Sequence, residues 1–114
     1  MVIIMARLTK YRKDILDLLI KLDKIETENN WEYQFSCEYK NIKSAKRCTK
    51  IASILEKKTN QLWKKILTSC KVENQFKLPL EIMDYYEKGR ENNRYDKFNN
   101  YEKDMQKLGL KTPK

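Results

Sequence analysis

Glu81 and Asp84 stand three residues apart, a spacing that brings two carboxylates together on one helix face. Such a pair does general acid–base work where a pocket drives the two pKa values apart, and nothing in the surrounding "LPLEIMDYYEKGRENNRY" builds one. Both are read as first-turn charges that complement a helix dipole. Cys37, Cys48 and Cys70 lie far apart with no CxxC, and the chain has no His, so a zinc site or an imidazole acid, base or ligand cannot be assembled. They are expected to be buried thiols in a reducing compartment. Trp31 and Trp63 have faces on which bases can stack, but each falls at or near the end of a helical pattern and is expected in packing. No Gly-rich phosphate loop, nucleophile elbow or nucleotide fingerprint occurs. The expectation is a chain without enzymatic activity and without a cofactor.

The elements around these residues are helical. The 114 residues include two Gly and two Pro, too few turn residues for a many-stranded sandwich or barrel. With 36% charged residues and a mean hydropathy of -0.85, a thick independent core is not expected; a thin bundle that borrows apolar surface from partners is. The net charge of +9 is uneven: six basic against five acidic residues over 1–30, ten against four over 31–75, and nine against seven thereafter. The basic middle suits an acidic protein surface, nucleic acid or a solvated helix face. The opening "MVIIM" is shorter than a signal-peptide core and no later run has bilayer-spanning length, so a soluble intracellular protein is expected.

Leu8, Tyr11, Ile15, Leu18, Leu22 and Ile25 repeat at 3, 4, 3, 4, 3, the seam of an amphipathic helix that should end near "ETENN". Phe35, Tyr39, Ile42, Ala45, Cys48, Ala52, Leu55, Leu62 and Ile66 continue the pattern, with Thr59 as its polar exception. No Gly or Pro interrupts 31–76, which predicts one long second helix paired antiparallel with the first. Pro79 suits the first position of a short helix over 79–88, and Gly89 suits its left-handed stop. Asn93 can then cap a last helix carrying Tyr95, Phe98, Tyr101, Met105 and Leu108, with Gly109 as its stop. The predicted fold is therefore all-α: an elongated antiparallel helix pair (1–75), then a short Pro-started helix, a Gly-Arg turn and a closing C-terminal helix (76–114), packed into a multi-subunit helical assembly.

The stretch "LPLEIMDYYEKGRENNRY" resembles the signature of the Mediator complex subunit 10 family, a hydrophobic-Pro-Leu-Glu-Val/Ile run followed by Tyr, an acidic residue, Gly-Arg-Asn-Pro and a final Tyr. Pro79, Leu80, Glu81, Ile82, Tyr85, Glu87, Gly89, Arg90 and Tyr95 fall on it, while Glu91 and Asn92 stand where the family has Asn-Pro. The match covers about a sixth of the chain, with "LLIKLDKIE" only loosely similar upstream. The resemblance implies a non-catalytic helical subunit of the middle module of Mediator, the nuclear coactivator that links transcription factors to RNA polymerase II. Its implied partners are the large scaffold subunit and other middle-module helical subunits, with no direct nucleic-acid contact and no membrane. Pro79, Leu80, Ile82, Tyr85, Gly89, Arg90 and Tyr95, together with Leu18 and Leu22 of the first seam, are the expected partner-binding residues.

Two other readings compete. A basic helical nucleic-acid-binding protein would use the charged middle segment, though its charge is dispersed rather than set on a recognition helix. A mitochondrial assembly factor of the Leu-Tyr-Arg type is suggested by "KYRKDIL", where Lys10 replaces the motif's Leu.

Overall fold

A computed structural model describes residues 13–93 and 101–113. Leu8, Tyr11, "MVIIM", the start of "KYRKDIL", Tyr95 and Phe98 lie outside the described residues. Those described form four α-helices and no strand: α1 (Lys13–Glu38), α2 (Ile42–Cys70), α3 (Leu80–Asn93) and α4 (Tyr101–Lys107), with a 3₁₀ turn at Gln75–Lys77 before α3. The all-α reading stands.

The first helix does not end at "ETENN". It runs through Asn29 and Asn30 to Glu38, and the chain reverses at Tyr39–Asn41. Asn29 is compatible with a helix interior because its amide leaves its own backbone alone and crosses to α2, Nδ2 donating to the Cys48 carbonyl at 3.0 Å. The reversal corrects the single helix expected over 31–76 and has a local cause. The N–H groups of Lys40 and Asn41 fold back onto the Cys37 and Ser36 carbonyls, with Lys40 left-handed at φ 57°. Asn41 then caps α2, its Oδ1 accepting the Ser44 N–H at 3.1 Å. The C-terminus of α2 repeats the device with Lys71 at φ 56°, and Val72 N–H donates to Leu67 O at 3.1 Å. Neither stop uses Gly, although a β-carbon costs about 1 kcal/mol in that conformation. Gly109, at φ 79°, ends α4 in the same way and is the residue expected there.

The hairpin packs through Leu16, Leu19, Leu22 and Ile25 of α1 against Ile51, Leu55, Leu62 and Ile66 of α2, all buried. The third helix lies on α1 and contributes Ile82, while α4 contributes Tyr101 and Met105 to the same cluster. The shape is elongated, 51 × 26 × 25 Å with a radius of gyration of 15.8 Å, against about 13 Å for a compact domain of roughly this size.

Candidate partner-binding surface

The third helix begins one residue after Pro79, whose carbonyl accepts the first helical N–H groups, those of Ile82 and Met83, at 3.1 and 3.4 Å. Before it, Asn74 holds the 3₁₀ turn by accepting the Phe76 N–H at 3.0 Å, and Leu78 is buried as an anchor. This geometry leaves Phe76 at 99% and Leu80 at 75% exposure, on either side of the exposed Pro79. Two large apolar side chains therefore flank a conformationally fixed residue in solvent.

The helix continues through Gly89 to Asn93, which corrects the expected stop at Gly89 and places Asn93 at the end of α3 rather than ahead of α4. Gly89 is needed for close approach. A β-carbon there would lie 2.2 Å from Ile20 Cδ1 and 2.9 Å from its Cγ1, so any side chain at this position would force Ile20 to shift where α3 crosses α1. Around that crossing, Tyr86 meets Trp63 edge-on at 4.9 Å and 81°, and the Arg90 guanidinium lies 5.4 Å from the Tyr86 ring centre. Arg90 Nε also pairs with Asp23 Oδ2 at 3.2 Å, while its Nη1 bonds the Glu87 carboxylate at 3.2 and 3.3 Å. Burial opposes the charge of Arg90, but Asp23 outweighs it and holds the guanidinium pKa above its ordinary value. Tyr85 donates its hydroxyl proton to Asp17; that bond, with some burial, pushes the phenol up to about 12. Burial does the same for Tyr86, also to about 12.

A second polar anchor ties α4 to the hairpin. The Tyr101 hydroxyl shares its proton between Asn29 Oδ1, 3.0 Å away, and the Glu32 carboxylate, and burial plus Glu32 raise its pKa. Arg47 of α2 meets Glu102 through Nε at 2.9 Å and holds the Pro113 carbonyl.

The expected site residues thus divide. Leu22 and Ile82 are core residues, Gly89 abuts Ile20, Tyr85 and Arg90 are engaged by Asp17 and Asp23, and Leu18 is half-buried against the core. Pro79 and Leu80 remain exposed. Residues assigned by sequence to a buried seam are instead open at the hairpin tip: Phe35 at 50%, Tyr39 at 75% and Ile42 at 68% exposure, with the Phe35 and Tyr39 rings stacked 6.4 Å apart. The capping Asn41, three residues before Ser44, was the signal that the seam is broken there. Cys48 is buried as expected, whereas Cys70 is half-buried and Cys37 is exposed.

Among the described residues no group of three or more His, Cys, Asp or Glu side chains is arranged to hold a metal ion, and no helix is long and apolar enough to cross a membrane. No family model, curated protein or solved structure matches the chain.

Proposed function

We propose that this chain is a non-enzymatic structural subunit of the Mediator coactivator complex, acting in the nucleus through helix–helix contacts with other Mediator subunits. One observation carries the reading. Of the residues that resemble the family signature, those on the inner face of α3 (Ile82, Tyr85, Gly89 and Arg90) seat it on α1, and the outer pair Pro79 and Leu80 is left in solvent beside Phe76. A segment that spends its helix on internal packing and presents its rigid N-terminal elbow outward has the form of a docking element. The elongated shape supports it, because a long thin bundle offers more side surface to neighbours than a compact domain of equal mass.

The test is co-expression of the chain with the large Mediator scaffold subunit and the middle-module helical subunits. Recovery of a stoichiometric complex from the parent, and its loss when Phe76 and Leu80 are both changed to Ser, is the expected result. Equal recovery from parent and double variant would contradict the elbow's role, and failure of the parent to assemble with any of these subunits would contradict the function itself.

A further inference from the structure

The two hairpin helices carry opposite charge. The first has three basic against seven acidic residues, whereas α2 has eight basic residues against Glu56 alone. If this served only to hold the hairpin together, the lysines of α2 would turn toward α1. Five of the seven do not: Lys43, Lys46, Lys50, Lys57 and Lys64 fall at 3-and-4 spacing with Ser53 and Asn60 in the intervening places, and all seven of these row positions are exposed. Among the described residues none of these five lysines is in an ion pair, while Arg47 and Arg90 are both engaged by carboxylates. The row lies opposite the face that buries Cys48, Leu55 and Leu62, and it extends for about 32 Å at the helical rise.

Like charges at Lys43, Lys46 and Lys50 oppose one another at 3-and-4 spacing, and Lys57 and Lys64 prolong the positive face without an acidic neighbour in the row, which leaves it available for an anionic partner. Two observations define that partner. The row has the repeat of a helix seam, so a second helix with carboxylates at the same spacing matches it along its whole length. It also ends in apolar surface: Ile42 stands one turn before Lys46, and Tyr39 and Phe35 follow around the tip. The Tyr39 and Phe35 rings at the tip would accept a base as readily as an apolar side chain, so it is the helical repeat of the lysine row, together with the aliphatic Ile42, that favours a helix over a nucleic acid.

We propose that the outer face of α2, from Ile42 to Lys64, docks an acidic amphipathic helix of a partner protein, its carboxylates on the lysine row and an apolar residue on Ile42 and Tyr39. The proposal rests on the reading of the chain as an assembly subunit, and names the chemistry of one neighbour.

The test uses the full chain and three fluorescent probes. One is a designed helical peptide of about 22 residues, long enough to follow the row, with glutamates at 3-and-4 spacing and a Leu-Phe pair at one end. The second is the same composition scrambled, and the third is a single-stranded oligonucleotide of matching length. Anisotropy should show the patterned peptide binding at least about tenfold more tightly than either other probe. Changing Lys43, Lys46 and Lys50 together to Glu should weaken it by about tenfold or more, and Ile42→Ser should weaken it even at a salt concentration that screens the lysines. Circular dichroism of each variant should match the parent, since all four positions are exposed. Absence of measurable peptide binding, indifference to the charge reversal, equal binding of the scrambled peptide, or tighter binding of the oligonucleotide would each overturn the proposal. None of these outcomes depends on Mediator subunits, so failure here is separable from failure of the co-expression experiment.

Discussion

Gly89 of α3 and Ile20 of α1 meet so closely that a β-carbon on the glycine would stand 2.2 Å from the isoleucine Cδ1. The crossing brings Tyr86 and Arg90 within reach of Trp63 and Asp23, so the seat of the helix after Pro79 depends on one missing side chain.

Gly89→Ala sets two effects against each other. In a helix interior Ala is favoured over Gly by about 1 kcal/mol, but overpacking typically costs about 1–3 kcal/mol, and here Cγ1 and Cγ2 of Ile20 crowd the site as well as Cδ1. A net loss of about 1 kcal/mol is expected in chemical denaturation. In the Ile20→Ala background the same change should become neutral or stabilising. A stabilising Gly89→Ala in the parent background would show that the close approach is not the reason for the glycine.

Ile82 and Leu80, two residues apart, should separate folding from docking. Ile82 is 2% exposed, and Ile82→Ala should cost about 2–5 kcal/mol of stability in the isolated chain. Leu80, at 75% exposure, should change stability by under about 0.5 kcal/mol when replaced by Ser, while recovery of the assembled complex falls. Denaturation of the two single variants, read beside their co-purification yields, checks both statements.

Lys40→Gly should stabilise the chain by about 1 kcal/mol, because Gly adopts φ 57° without the steric cost that Lys bears. A melting temperature at or below that of the parent would mean that the left-handed stop between α1 and α2 is misplaced.

Glu26 gives a pH signature. Burial raises its carboxyl pKa, with Asp23 and Glu56 adding to the shift, while the Thr59 hydrogen bond and Arg90 oppose it. A folded pKa above the unfolded value means that the native state binds the proton more tightly, so stability falls as pH rises through the unfolded value, near 4.5, to the folded one. Glu26→Gln removes the charge and keeps a hydrogen-bonding oxygen for Thr59. Its stability relative to the parent should therefore improve between about pH 4 and pH 7. Thermal melts of both proteins at the two pH values check the sign, and a relative loss at the higher pH would refute it.

How much of this was legible in the sequence follows the strength of the local signals. Helical periodicity is carried by many residues at once, so the all-α class and the core positions Leu22, Leu55, Leu62 and Ile66 could be read from spacing. Gly109 could be read as a stop because it is a glycine in a left-handed turn. The hairpin turn was obscured, since Lys40 does work usually given to Gly and the apolar seam continues across the break through Tyr39 and Ile42, leaving the capping Asn41 as its local signal; Lys71 hides the end of α2 in the same way. Gly89 was misread for the converse reason: its value lies in a contact with Ile20, 69 positions earlier in the chain, which no local rule reports. For the candidate surface, Pro79 and Leu80 were named from the resemblance together with residues that pack inward, and which of them face solvent depended on how α3 sits on α1.

The most direct measurement is purification of the tagged full-length chain from cells of its own source, at native expression level, with mass identification and quantification of stably bound proteins. Mediator subunits at near one-to-one stoichiometry with the chain, retained through a moderate-salt wash and lost from the Phe76, Leu80 double-Ser variant, are the predicted result. Recovery of the chain alone, or with nucleic acid and no Mediator subunit, would contradict it.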